Sequence, residues 1–116
     1  LGSFLACEDE NWEKFKLVGI NENLISEMEE FIDEVDSGLE PLKNFILPGG
    51  SLLSSSAHIS RTICRRVERK LVEFNKDGNK LPEYSLELLN RLSDFLFVIS
   101  RYFNLSLGEN EIIWKP

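Results

Sequence analysis

Apolar residues recur at three- and four-residue intervals over three long stretches of this chain. From Asn21 to Leu39, residues Leu24, Ile25, Met28, Phe31, Ile32, Val35 and Leu39 fall on one face, the spacing of an amphipathic helix. Its other face carries Glu22, Glu27, Glu29, Glu30, Asp33 and Glu34, which reads as a solvated surface. Gly38 and Pro41 end that helix. Ser51 opens a second helix that runs to about Phe74, and Pro82 suits the first turn of a third that runs to Asn104. The third helix turns Leu86, Leu89, Leu92, Leu96, Ile99 and Phe103 toward the core. Between them, Lys43 to Pro48 is a connector, and Lys76-Asp77-Gly78-Asn79 is a surface turn. Leu1 to Cys7 reads as the tail of an apolar helix, and Glu8 to Gly19 as a covering loop. Leu107 to Pro116 is a tail with two apolar anchors, Ile113 and Trp114. Long helices with short connectors predict an all-α antiparallel bundle, with residues 1–116 in one domain.

Composition narrows the function classes. Being 42% hydrophobic and 28% charged, the chain can bury a core and is not of disordered composition. A pI near 4.7 argues against a general nucleic-acid binder, which would present a broad basic face. Cys7 and Cys64 form neither a disulfide framework nor a metal-ligand spacing, so a reducing compartment is expected, and no metal-binding residues are assigned. No apolar run has membrane-spanning length. The chain opens on Leu-Gly-Ser in mid-pattern, so a preceding N-terminal portion is expected.

Charge changes the picture most. Ser51 to Lys70 carries a net +4 in a chain of net −7, leaving −11 for the rest. On a wheel of about 100° per residue, His58, Arg61, Arg65 and Glu68 form one column that borders the apolar strip of Ala57, Ser60, Cys64, Val67 and Leu71. Arg66 points elsewhere, about 140° from Arg61 on the same wheel. On the third helix a second column, Glu83, Glu87, Asn90, Asp94, Phe97 and Arg101, also borders a buried face. The two columns could meet across a cleft, with Arg61 or Arg65 paired to Asp94 or Glu87 and Asn90 supplying an amide. That arrangement would serve packing alone if the charges balanced. The arginines outnumber the acids of their own column, however, and an excess of guanidinium near a core calls for an anion. Arginine is suited to forked contacts with phosphate. His58 alone reads as a structural histidine. Ser54-Ser55-Ser56 reads as close helix packing, since no general base stands at a suitable spacing.

Three ordered motifs carry a resemblance: FILPGG at Phe45–Gly50, HxxRTxCRRxER at His58–Arg69 and LNRLSDxLFVxxR at Leu89–Arg101, before a Trp-Lys-Pro ending. Together they resemble the propanediol-utilisation-type ATP:cob(I)alamin adenosyltransferases, a family of five-helix, ferritin-like bundles. The resemblance implies a homotrimer with active sites between subunits. It implies an enzyme that moves the 5′-deoxyadenosyl group of ATP to the cobalt of reduced cobalamin and releases triphosphate, with Mg2+ accompanying the nucleotide. By the same resemblance Arg61 and Arg65 organise the ATP site and carry catalysis, and Glu68 and Asn90 contact the nucleotide. Arg66, Arg69 and Asp94 brace the site. Phe45 is the aromatic wedge beneath the corrin, and Phe97 lines that pocket. A cobalamin reductase or a B12-dependent enzyme is the implied protein partner, with no nucleic acid or membrane. The expected compartment is the cytoplasm, or the mitochondrial matrix in a eukaryote. The family's TGDxGxT phosphate motif and first helix are not in these 116 residues, and Ser55, Ser56 and Ser100 stand where small apolar residues are commoner. The alternative reading is a non-catalytic helical module that binds a corrinoid or a protein.

Overall fold

The computed structural model describes residues 1–6, 11–13, 19–42, 46–47 and 49–113. Four helices and one short ladder follow in chain order: α1 (Gly2–Leu5), α2 (Glu22–Ser37), β1 (Ile46–Leu47), α3 (Leu52–Lys76), α4 (Ser85–Ser106) and β2 (Ile112–Ile113). Two of the long helices, α2 and α3, begin where a side chain satisfies one of their first N–H groups. The Asn21 side chain accepts from Leu24 N at 2.8 Å, and the Ser51 hydroxyl accepts from Ser54 N at 3.1 Å. The turn after α3 is exposed and contains Gly78 at φ 91.

α4 is the organising helix: α3 packs along it and α2 packs against it, while α2 and α3 share no extensive contact. The fully buried side chains are small, namely Ser54, Ser85 and Ser100, with Ala57 and Cys64 also buried on the α3 side. Small residues let two helices approach closely, and their polar groups find partners within the helix or across the seam. Ser100 Oγ donates to Phe97 O at 2.6 Å, and the Cys64 thiol reaches Leu89 O at 3.2 Å. Burial raises the Cys64 thiol above its ordinary pKa, and Glu68 adds to the effect. Around Cys64, Leu71 and Leu89 pack Leu1, Leu81, Leu86, Leu92 and Leu96. The predicted all-α antiparallel bundle is therefore present.

Several expectations are corrected. α4 begins at Ser85 rather than Pro82, because Pro82 opens a turn: its carbonyl accepts both Ser85 N and Ser85 Oγ, and Tyr84 sits in the left-handed region at φ 66. Leu24 and Phe31 were expected in the core but are 39% and 60% exposed, because among the described helices α2 packs chiefly on α4 and its wide apolar stripe is only partly covered. Ser60 and Val67 leave the α3 core strip for the same reason: a close two-helix seam covers a narrow arc. The tail does more than anchor. Ile112 and Ile113 pair antiparallel with Leu47 and Ile46. Trp114 lies outside the described residues, as do Cys7 and most of the expected Glu8–Gly19 loop.

Candidate functional site

The entrance to α3 is built by a side chain from the far end of α4. Asn104 Oδ1 accepts from Ser51 N at 2.9 Å and from Ser51 Oγ at 3.0 Å, and its Nδ2 donates to Gly49 O at 3.1 Å. Ser54 Oγ donates to the same carbonyl at 3.1 Å. Gly50 adopts φ +96, and a Cβ there would lie 2.5 Å from Asn104 Oδ1. The second glycine of the turn is thus required twice, by its backbone and by the amide packed on it. No pattern in the sequence marked Asn104, because its partners lie 53 to 55 residues away.

Two turns along, the cationic column meets an aromatic wall. His58 is 4% exposed, and its ring stands edge-on to Phe97 with centroids 6.3 Å apart. The Arg61 guanidinium carbon lies 5.4 Å from the Phe97 centroid, a cation–π contact. His58 Nδ1 and Arg61 Nε are both buried without a hydrogen-bond partner among the described residues. Burial holds the His58 imidazole below its ordinary 6.5, and the Arg61 charge adds to this. Burial likewise lowers Arg61, with Arg65 as the second cause. Arg65 itself is exposed, Glu68 is half-buried, and Arg66 and Arg69 are exposed.

The expected pairing of Arg61 or Arg65 with Asp94 or Glu87 is not formed. Asp94 bonds Arg91 instead, at 3.4 Å, and Arg91 also bonds Glu29 of α2 at 2.7 Å and Asn90 Oδ1 at 2.9 Å. Glu29, Ile32, Asp33, Arg91 and Asp94 line one open cavity between α2 and α4. The second polar column thus divides: Asn90 and Asp94 are engaged with Arg91 on the α2 side, and Phe97 turns to α3. The Glu29 bond holds the Arg91 guanidinium above its ordinary pKa.

Phe97 also lines a cavity of about 450 Å³ beside the end of α2, with Leu39, Pro41, Leu42 and Arg101 among its walls. Arg101, only 5% exposed, donates from Nε to Glu111 and from Nη2 to Glu40 O at 2.7 Å. Sequence reading placed Arg101 in its column but assigned it no task. The spacing of four from Phe97 was the available signal. Phe45 lies outside the described residues. Among those described, no three His, Cys, Asp or Glu side chains converge to hold a metal, and no helix is long and apolar enough to cross a membrane.

Residues 1–103 match the family model described as cobalamin adenosyltransferase. The chain is 41% identical over 91 residues to a cobalamin adenosyltransferase of Cupriavidus metallidurans, covering 78% of this chain and 49% of that relative. It is 38% identical over 116 residues to the corrinoid adenosyltransferase MMAB of Homo sapiens, covering 98% and 46%. A variant of the PduO-type ATP:corrinoid adenosyltransferase from Lactobacillus reuteri, complexed with cobalamin and ATP, superposes with a TM-score of 0.86 at 32% identity, over 96% of this chain and 59% of that one. A second variant of that protein, complexed with ATP, superposes at 0.75 with 31% identity, over 84% and 55%. The chain spans about half the length of the curated relatives it matches.

Proposed function

The chain belongs to the cobalamin adenosyltransferase family, and from that premise we propose that it takes part in moving the 5′-deoxyadenosyl group of ATP to the cobalt of cob(I)alamin. One observation carries the reading: Arg61, in a column with Arg65, stands against Phe97 with its buried Nε left without a partner among the described residues. That arrangement suits a polyanion on one side and an apolar macrocycle on the other.

The chemistry asks little of side-chain acids or bases. Cobalt(I) supplies the electron pair that forms the bond to C5′, the C5′–O bond breaks, and triphosphate leaves with that bond's pair as cobalt becomes formally Co(III). The hard step belongs to the corrinoid. The protein has to align the two substrates and stabilise the departing charge. Arg65, exposed on its column, has a fork open to phosphate oxygens, and Arg61 is braced on Phe97. Glu68 and Asn90 are assigned to the nucleotide by the same reading, Arg66, Arg69 and Asp94 to bracing, and Phe45 and Phe97 to the corrin. Asn90 would exchange its present Arg91 bond for the nucleotide. Magnesium is read as accompanying the phosphates of the nucleotide, where it keeps most of its own water ligands.

The same reading makes residues 1–116 one helical domain of a homotrimer with sites between subunits, working in the cytoplasm or the mitochondrial matrix alongside a cobalamin reductase or a B12-dependent enzyme. The deciding experiment is an adenosylation assay on the full-length protein with ATP and chemically reduced cobalamin. Turnover is expected, and Arg65→Ala should slow it by about 10²–10³-fold with helical circular dichroism unchanged, the scale seen when one transition-state donor is lost. Near-normal turnover in that variant would remove Arg65 from the site. Tight cobalamin binding by wild type without turnover would favour the non-catalytic module.

A further inference from the structure

Among the described residues the ladder between β1 and β2 pairs Ile46 and Leu47 with Ile113 and Ile112. Arg101 reaches the chain on the approach to each strand. Its Nη2 bonds the carbonyl of Glu40, six residues before β1 begins, and its Nε bonds Glu111, the residue immediately before β2. The guanidinium is 5% exposed, so these bonds form away from water, where a charged group left without partners would be costly. The planar fork matters: two donors held at a fixed angle address two different chain segments at once.

Arg101 also touches the candidate site. It stands one helical turn from Phe97, and both line the cavity of about 450 Å³ next to Leu39 and Pro41. Phe97 in turn carries Arg61. A side chain that shares this cavity with Phe97, to which a corrin contact is assigned, therefore bears on the corrin-facing side from outside the arginine column.

We infer that Arg101 is a positioning residue: by clamping Glu40 and Glu111 it docks the β1–β2 ladder on α4 and holds the corrin-facing side of the site, leaving the nucleotide side to the α3 arginines. The part about substrates rests on the adenosyltransferase reading, while the clamp itself does not. The test uses full-length Arg101→Met, which keeps much of the side-chain bulk and removes the fork. Amide hydrogen exchange at residues 46–47 and 112–113 should quicken by about tenfold or more while the α3 amides stay protected. KM for cobalamin should rise about tenfold while KM for ATP stays within about twofold. Arg101→Lys, which keeps the charge but not the fork, should resemble Arg101→Met rather than wild type. If Arg101→Met does not fold, Glu111→Ala, at a partly exposed position, cuts only the tail-side bond and is read the same way. Unchanged exchange in the ladder overturns the clamp. Quickened exchange with equal losses for ATP and cobalamin overturns the division of labour. If wild type itself does not adenosylate, the functional reading fails, and the exchange measurement still decides the clamp.

Discussion

His58 and Asn104 are two buried polar side chains with opposite circumstances. Asn104 has its amide engaged at both ends, whereas His58 keeps a buried Nδ1 without a partner among the described residues. The first should act as a lock. Gly50→Ala would drive a Cβ into Asn104 at a φ that disfavours side chains, so a loss of about 1–3 kcal/mol is expected from urea denaturation. An unchanged midpoint would mean that the turn relaxes freely. The second should respond to pH. The folded state holds His58 below its ordinary 6.5, so between the folded value and 6.5 the unfolded chain binds more protons. The stability contribution is therefore complete above 6.5 and is lost as pH falls below it. Against the non-titrating His58→Phe, the advantage or deficit of wild type in Tm should be flat above neutrality and shift against wild type toward pH 5. A pH-independent difference between the two proteins would contradict the assigned environment.

Among the described elements, α4 is packed by both α3 and α2, while α2 packs chiefly on α4. The same truncation should therefore cost differently on each. Leu89→Ala, in the α3–α4 seam, should lose about 2–5 kcal/mol, while Phe31→Ala, at 60% exposure, should lose less than about 1 kcal/mol in this chain. Comparable losses in chemical denaturation would show that α2 is buried more deeply than its packing on α4 indicates. The tie between α2 and α4 through Arg91 and Glu29 is largely exposed and should add little beyond that packing. The helices themselves were predictable from periodicity and capping residues, and Asn21 and Ser51 cap as their types suggest. Pro82 misled because proline also serves at the start of a turn, where its carbonyl is as useful as its ring.

For the molecule as a whole, the radius of gyration of 16.9 Å exceeds the roughly 13 Å expected of a compact domain of this length. The extents of 51 × 29 × 23 Å describe an elongated stack. Its α3 helix leaves an apolar stripe uncovered, with Leu52 at 83%, Ile59 at 61% and Ile63 at 46% exposure. A trimer with sites between subunits would give that stripe a use. Replacing Ile59 and Ile63 together by glutamate in the full-length protein should lower the mass measured by light scattering. A mass that stays trimeric would place the stripe against another segment of its own chain.

The residues alone determined the helices, the caps of α2 and α3, the cationic column and the motifs that carry the family resemblance, because each depends on neighbours within one or two turns. A helical wheel, however, describes angles about one axis and says nothing of how that axis is rotated against its neighbour. Packing through small buried residues such as Ser54, Ser100 and Ala57 settled that rotation. It laid Arg61 on Phe97 and brought Asn104 to Ser51. The ladder and its Arg101 clamp join segments 61 and 10 residues from that arginine. Such contacts exist only once the helices have docked, which is why no local pattern announced them.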